Sequence, residues 1–319
     1  MKKALICGIS GQDGAYLSQL LLKKGYQVTG TSRDTKRSNF THLKRFGLLE
    51  QIDFVAMSIN DFRSVLYVFD RVRPDEVYNL AGQSSVGLSF EQPVETLESI
   101  NIATLNLLET IRFLNLDTHL YNAGSSECFG ESTPEHPSNE SSCFLPRSPY
   151  AVAKVSAHWL ITNYREAYNI YACTGHLFNH ESPCRGERFV TKKVIKSVVN
   201  ISKKKQERLQ LGNLDIIRDW GWAPEYVEAM WLMLQQDKAN DYVIATGRSV
   251  SLRHFVKTAF DYFELDIDKY LVYNKQFLRP TELRCSYADP SRARKELHWQ
   301  AQYDVDDVVR MMIEDEITG

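Results

Sequence analysis

The sequence lacks the features that define several classes of protein. It has no apolar run near the roughly 18 residues that a membrane-spanning helix needs. It has no excess of one charge, since 38 Lys and Arg residues stand against 40 Asp and Glu residues. Binding to nucleic acid by counterion release would require a basic excess. The six cysteines form no C-x-x-C pair and are too sparse for a disulfide scaffold.

These absences narrow the expected partners and location. We expect a cytoplasmic protein with free thiols and with neither a nucleic-acid nor a membrane partner. The pair His180-Glu181 has no second ligand set at zinc spacing, so no metal site is predicted.

Apolar segments of strand length alternate with helical patterns in the N-terminal part of the chain. Strands are predicted at residues 4–7, 27–30, 51–56, 77–80, 118–122 and 171–177. Helices are predicted at residues 17–24, 61–69, 95–114 and 150–167. This alternation implies right-handed crossovers and an α/β fold with a Rossmann-type, doubly wound parallel sheet.

The remainder of the chain is less regular. It predicts helices at residues 226–236, 251–263 and 305–317 and a strand at residues 242–246. We expect residues 1–180 to form a nucleotide-binding domain. Residues 181–319 would form mainly a smaller mixed α/β substrate-binding lobe, with some segments returning to the first domain.

A glycine-rich turn separates the first predicted strand from the first predicted helix. Its spacing is Gly8-x-x-Gly11-x-x-Gly14, and Ser10, Gln12 and Asp13 lie between the glycines. Glycines allow the backbone to approach a pyrophosphate, which the N-terminus of the helix then attracts. The turn therefore predicts a dinucleotide site.

The end of the second strand bears on the choice of nicotinamide cofactor. A carboxylate there would bind the ribose hydroxyl of NAD, whereas this chain has Arg33 with Lys36 and Arg37 close behind. These cations suit the 2′-phosphate of NADP, although Asp34 leaves NAD open. We expect NADP.

Tyr150 and Lys154 lie four residues apart on a predicted helix and so share one face. A nearby ammonium is expected to lower the pKa of the phenol and to contact the nicotinamide ribose. With Ser125 at the end of the fifth strand, these residues predict a site for hydride transfer. Glu127, two residues further on, is surplus to simple oxidation. A carboxylate there can remove a proton from carbon beside a new carbonyl, which favours elimination of water.

Seven stretches of the chain carry a resemblance to a known family. They are Gly8 to Leu17, Tyr78-Asn79-Leu80-Ala81-Gly82-Gln83-Ser84, Pro146-Arg147-Ser148-Pro149-Tyr150-Ala151, Leu177-Phe178-Asn179-His180-Glu181-Ser182-Pro183, Phe189-Val190-Thr191-Lys192-Lys193, Arg218-Asp219-Trp220-Gly221 and Arg279-Pro280-Thr281-Glu282. Over nearly its whole length the chain resembles the extended short-chain dehydrogenases/reductases, and within them the GDP-mannose 4,6-dehydratases.

The resemblance implies a reaction and a set of site residues. Tyr150 would deprotonate the C4 hydroxyl of GDP-mannose, Glu127 would remove the C5 proton, and water would leave from C6. The implied catalytic residues are Ser125, Glu127, Tyr150 and Lys154. The implied cofactor contacts are Gly8, Ser10, Gly11, Gln12, Asp13, Gly14, Arg33, Ser58, Ile59, Leu80, Tyr150, Lys154, His180 and Arg185. The implied substrate contacts are Ser84, Ser85, Ser126, Glu127, Asn179, Val190, Lys193, Arg218, Arg279 and Glu282.

Several positions depart from the family pattern. Ser125 replaces the usual threonine, Ser58 replaces an aspartate that contacts adenine, and Cys184 replaces an arginine. The loop at residues 33–38, which helps to join subunits in the family, also differs. The resemblance implies a homo-oligomer, either a dimer or a tetramer. Changes near the substrate leave a GDP-manno-heptose as an alternative sugar.

Other functions stay open. A 4-keto reductase or epimerase of the same fold would have no use for Glu127 as a base. An NADP-binding sensor or scaffold would not need Ser125, Tyr150 and Lys154 together.

Overall fold

A parallel sheet with helices on both faces forms the larger part of the protein. The structure is a computed structural model that describes residues 1–36, 38–278 and 280–318. In that part of the chain the sheet has seven strands in the order β10-β6-β5-β4-β1-β2-β3. The predicted Rossmann-type α/β fold is confirmed.

The strands have the following bounds. They are β1 Lys3–Cys7, β2 Gln27–Ser32, β3 Ile52–Ala56, β4 Glu76–Asn79, β5 His119–Ala123, β6 Ala172–Leu177, β7 Asn179–Glu181, β8 Leu209–Leu211, β9 Ile217–Trp222, β10 Tyr242–Ile244, β11 Ser249–Ser251 and β12 Leu271–Tyr273.

The α-helices follow in chain order. They are α1 Gln12–Lys23, α2 Thr41–Arg45, α3 Phe62–Val72, α4 Val86–Glu91, α5 Pro93–Leu97, α6 Ala103–Phe113, α7 Pro149–Tyr168, α8 Val190–Ser202, α9 Ala223–Met233, α10 Leu252–Asp261, α11 Ile267–Tyr270, α12 Ser291–Glu296 and α13 Val305–Thr318.

Strand β1 shows how the sequence builds two apolar layers. Its side chains alternate between the faces of the sheet. Ala4 and Ile6 belong to the apolar cluster that includes α1 and α9, whereas Leu5 and Cys7 belong to the cluster with α3, α6 and α7. The strand is apolar throughout because both faces are covered.

The order of the strands determines where a crevice forms at the edge of the large sheet. The chain runs outward from β1 to β3 on one side and restarts at β4 on the other. Ligands of such sheets bind outside the carboxyl ends of the strands at this reversal.

A smaller sheet, in the order β11-β9-β7, closes the other side of the crevice. Its core is the apolar cluster that α8, α10 and α13 share around Val194, Phe255 and Val309. Strand β10 lies later in the sequence, yet it pairs with β6 at the edge of the large sheet.

Two helices differ from the sequence prediction. Helix α1 begins at Gln12 rather than at residue 17. Its first turn faces the crevice and is polar, so the apolar pattern that predicts a helix starts only after that turn. The single helix predicted over residues 95–114 is instead α5, a π-helical segment at Glu98–Ile102, and α6. That segment approaches the loop after β4, where Ser99 accepts a hydrogen bond from the Gln83 N–H at 3.2 Å.

Within the described residues, no helix has the length and apolar character needed to cross a membrane.

Candidate active site

A cleft of about 1750 Å³ opens at the carboxyl ends of the strands. Every predicted site residue that the structure describes borders it. Arg279 and the predicted cofactor-loop cation Arg37 lie outside the described residues. Residues more than 270 positions apart in the sequence therefore meet in one cavity.

The glycine turn forms one wall. Gly8 has a left-handed φ of +86°, and a Cβ there would lie 2.8 Å from the Leu80 backbone. A Cβ on Gly14 would lie 2.6 Å from the Gly8 carbonyl oxygen. Gly11 occupies the N-cap of α1 and has no side chain with which to cap it. The start of the helix thus faces the cleft with the backbone geometry that suits a pyrophosphate.

Gln12 and Asp13 of the glycine turn contact residues in and next to β7. Gln12 donates to the His180 carbonyl oxygen at 3.1 Å and accepts from the Ser182 hydroxyl at 2.7 Å. His180 places one ring nitrogen 3.0 Å from an Asp13 carboxylate oxygen and the other 2.7 Å from the Phe178 carbonyl oxygen. Because both nitrogens face acceptors, the geometry favours the charged imidazolium.

The charges of this pair support one another. Burial alone would raise the pKa of Asp13, but the charge and hydrogen bond of His180 lower it to about 2. Burial opposes charge on His180, and Asp13 nevertheless raises its pKa above the ordinary value.

Arg33, Ser58 and Ile59 border the end of the cleft beside β2 and β3. Asn106 donates to the Ile59 carbonyl oxygen at 2.9 Å and so holds that loop. One Asp34 carboxylate oxygen accepts the Lys36 N–H at 3.0 Å, which ties this acid to its own turn.

Local capping places the predicted catalytic tyrosine and lysine. Ser148 caps α7 by accepting the Ala151 N–H at 3.1 Å, and Pro149 begins the helix. Tyr150 therefore lies in the first turn, and Lys154 lies one turn later. The Lys154 ammonium donates to the Ala123 carbonyl oxygen at 2.6 Å, which anchors it beneath the end of β5.

The pKa of Tyr150 lies above its ordinary value. Burial raises it, and a hydrogen bond with Ser125 only partly offsets the effect. Burial also lowers the pKa of Lys154 to about 8. Burial is thus the largest influence on the Tyr150 pKa, and the expected effect of Lys154 on it stays a prediction.

Ser125 and Glu127 lie in a short helical turn after β5. The Ser125 hydroxyl caps this turn by accepting the Glu127 N–H at 3.3 Å. Both residues border the cleft, as do the neighbouring Ser126 and Tyr150. A hydroxyl, a phenol and a carboxylate consequently share one face of the cavity.

The opposite end of the cleft holds the predicted substrate contacts. Ser84, Ser85, Asn179, Val190, Lys193, Arg218 and Glu282 all border it. Lys193 lies over the Phe277 ring, with its ammonium 3.4 Å from the ring centroid. Arg218 is buried and donates to the Ile217 and Leu283 carbonyl oxygens, each at 2.8 Å.

The sequence analysis did not assign roles to Glu181 and Thr191, which also border the cleft. Thr191 donates to the Glu181 carboxylate at 2.6 Å. The sequence held one signal for Glu181. Side chains alternate along a strand, so Glu181 is predicted to face away from His180.

Known proteins share this sequence and fold. A sequence profile described as GDP-mannose 4,6 dehydratase matches residues 5–312. GDP-mannose 4,6 dehydratase 1 of Arabidopsis thaliana is 43% identical, and the match covers 99% of this chain and 90% of that protein. GDP-mannose 4,6-dehydratase of Yersinia enterocolitica is 39% identical, with 98% and 93% covered. The chain belongs to the GDP-mannose 4,6-dehydratase family.

Membership confirms the predicted family and the assignment to the hydro-lyases of the short-chain dehydrogenase/reductase group. The structure of dTDP-glucose 4,6-dehydratase from Bacillus anthracis, in complex with NAD, has a TM-score of 0.87 at 17% identity and covers 100% of this chain and 97% of its own. RMD from Pseudomonas aeruginosa, complexed with NADPH, has a TM-score of 0.82 at 20% identity, with 100% and 99% covered. At these identities the two structures establish the fold alone.

Proposed function

We propose that this protein dehydrates a GDP-hexose, GDP-α-D-mannose, to GDP-4-keto-6-deoxy-D-mannose with NADP as a recycled cofactor. The observation that carries this proposal is the position of Glu127 beside Ser125 and Tyr150 in the cleft that the glycine turn borders. The names of the curated relatives support the same substrate.

A nicotinamide held by the glycine turn and Lys154 would supply a store for the hydrogen that moves from C4 to C6. In this proposal Tyr150 takes the proton of the C4 hydroxyl. Glu127 takes the C5 proton, which the adjacent ketone makes acidic, and later returns a proton to C5. A proton passed by Ser125, Glu127 or Tyr150 allows the C6 hydroxyl to leave as water. Atoms and electrons balance with the loss of one water.

The electrostatics of the cleft bear on when Tyr150 ionises. Burial raises the pKa of the phenol, so a positive charge beside Tyr150 favours its ionisation. The Lys154 ammonium, anchored on the Ala123 carbonyl oxygen, then stabilises the phenolate.

Arg33 and its surroundings support NADP rather than NAD. Arg33 borders the cleft at the end of β2, where a 2′-phosphate would need a cation. The Asp34 carboxylate, which would compete for a ribose hydroxyl, accepts the Lys36 N–H. We expect Arg33→Ala to weaken NADP+ binding and to leave NAD+ binding nearly unchanged, as measured by titration of each cofactor.

Lys193 and Arg218 support an anionic substrate at the other end of the cleft, because each brings a cation to the cavity that a diphosphate would use. The sugar itself is the part of the proposal that needs the test below. GDP-manno-heptose is the alternative.

The test is a mass-resolved turnover assay. Purified protein with a trace of NADP+ receives GDP-mannose or GDP-manno-heptose in parallel. We expect the loss of one water without net NADPH, and the faster substrate identifies the sugar. Absence of water loss from both substrates would refute the proposal.

Two variants separate the roles. Tyr150→Phe should lose turnover and keep cofactor binding. Glu127→Gln should oxidise C4 and accumulate NADPH without loss of water, because the C5 proton is not removed. Glu135→Gln is the matched control, since this glutamate is exposed and does not border the cleft. Unchanged turnover in Glu127→Gln would overturn the elimination role.

We also propose that the protein forms a homodimer through the outer faces of α5 and α7. Val152 and Trp159 on α7 are 46% and 57% exposed, and Leu97 on α5 is 37% exposed. Large apolar side chains grouped in this way mark an interaction surface. A second copy would cover the same surface on both subunits, and sedimentation of the purified protein measures this.

A further inference from the structure

Strand β7 lies between the two ends of the cleft. Its side chains alternate in direction, as they must in a strand. His180 and the following Ser182 contact Asp13 and Gln12 of the glycine turn. Glu181, between them, faces away from that turn and contacts Arg185 and Thr191.

The Glu181 carboxylate is buried, with 1% of the residue exposed. One of its oxygens accepts the Thr191 hydroxyl at 2.6 Å and lies 3.0 Å from the Arg185 Nε. A buried carboxylate without partners would be costly, so the Thr191 hydrogen bond and the nearby Arg185 charge both stabilise it. The Arg185 Nε lies at ion-pair distance but makes no hydrogen bond.

The two partners belong to different predicted binding sites. Arg185, a predicted cofactor contact, stacks on Phe189 with its guanidinium carbon 3.6 Å from the ring centroid. Thr191 is the second residue of α8 and lies between the predicted substrate contacts Val190 and Lys193. A single carboxylate oxygen therefore joins a cofactor contact to the turn that carries two substrate contacts.

We propose that Glu181 is a positioning residue that couples binding of the GDP-sugar to binding of the cofactor. A cofactor that orders Arg185 also orders the Glu181 carboxylate, and through Thr191 it orders the first turn of α8. The substrate then meets Val190 and Lys193 already in place and pays less ordering entropy. This inference rests on the ligands assigned under the proposed function.

The experiment measures binding rather than turnover. Calorimetry gives the dissociation constant of GDP with and without saturating NADP+, and the ratio of the two is the coupling factor. We expect NADP+ to tighten GDP binding by about fivefold or more in the wild type. Linkage requires GDP to tighten NADP+ binding by the same factor, which checks the measurement.

Two variants interrupt the link at different points. Glu181→Gln removes the ion pair with Arg185 and keeps the size of the side chain, so the coupling factor should fall to about one. Thr191→Val removes only the hydroxyl and keeps the Glu181–Arg185 pair. It should also abolish coupling, while NADP+ alone binds as in the wild type. This second variant carries the test if Glu181→Gln does not fold.

Glu140→Gln provides the control for loss of a buried carboxylate. Glu140 accepts the Val243 N–H at 2.7 Å, lies 3.7 Å from an Arg292 nitrogen, and does not border the cleft. It should lower stability without changing the coupling factor. A role of Glu181 in stability alone would weaken both ligands and leave their ratio as in the wild type.

The outcomes separate this inference from the proposed function. If the wild type binds neither GDP nor NADP+, the assigned ligands are wrong. If it binds both and the coupling factor is one, or if Glu181→Gln and Thr191→Val keep the wild-type factor, the inference is overturned and the assigned ligands stand.

Discussion

Replacing Asp13 with asparagine should remove the acid-dependent part of the contact between the glycine turn and β7. The Asp13 carboxylate lies 3.0 Å from His180, and this contact lowers its pKa from 3.8 to about 2. A folded-state pKa below the unfolded value stabilises the fold at every pH above the unfolded pKa. That contribution is lost as the pH falls through the folded pKa.

The size of the Asp13 pKa shift determines its contribution to the free energy of unfolding. A lowering from 3.8 to about 2 corresponds to about 2 kcal/mol of unfolding free energy above about pH 5, of which about half is lost by about pH 3. His180 has the opposite sign. Its raised pKa stabilises the fold below its ordinary value of 6.5, and this contribution is lost as the pH rises through the raised value. Between about pH 3 and about pH 6 the imidazolium stays charged, and Asp13 alone of the pair changes charge.

Urea unfolding of the wild type and Asp13→Asn over this range measures the difference. The wild type should lose about 1 kcal/mol of unfolding free energy between about pH 5 and about pH 3 as Asp13 takes up its proton. The variant should lose stability at higher pH, as the pH falls through 6.5, because His180 no longer has the Asp13 charge that raises its pKa. Parallel curves over the range would refute the charged pair. The Gln12 bonds to β7 remain in the variant, so the protein should still fold.

Three further predictions concern the packing of Gly221, the dimer surface and the ionisation of Tyr150. Gly221→Ala should lower the free energy of unfolding by about 1–3 kcal/mol, measured in urea. The new Cβ would overlap the Tyr226 ring, which stacks on His180. A variant as stable as the wild type would contradict this packing. Trp159→Glu should shift a sedimenting dimer to monomer while circular dichroism stays unchanged, and a persistent dimer would place the interface elsewhere. Addition of NADP+ should produce the ultraviolet difference absorbance of tyrosinate in the wild type and not in Tyr150→Phe, since positive charge lowers a phenol pKa; an equal signal in both would refute the assignment.

The sequence predicts the large sheet well because its strands are short apolar runs between helices. Leu5 and Val77 are fully buried, as runs covered on both faces require. The glycine turn was also predictable from its spacing. A Cβ on Gly14 would overlap the nearby Gly8 carbonyl oxygen, and a Cβ on Gly8 would overlap the Leu80 backbone after β4.

Two strands of the smaller sheet escaped prediction because they are short and polar. Asn179–Glu181 and Ser249–Ser251 have no apolar run, and they form strands because β9 pairs with both. The contact between Asp13 and His180 joins residues 167 positions apart. The family resemblance implies that both contact a cofactor, but only the fold shows that they pair.

The raised pKa of Tyr150 could not be predicted from the sequence either. Spacing along α7 correctly puts Tyr150 and Lys154 on one face, yet the sign of a pKa shift depends on burial as well as on the neighbouring charge. In the structure the ammonium donates to Ala123, and its own pKa falls to about 8 because it too is desolvated. Spacing shows which charged groups lie near a side chain, whereas only the fold shows how far water is excluded from it.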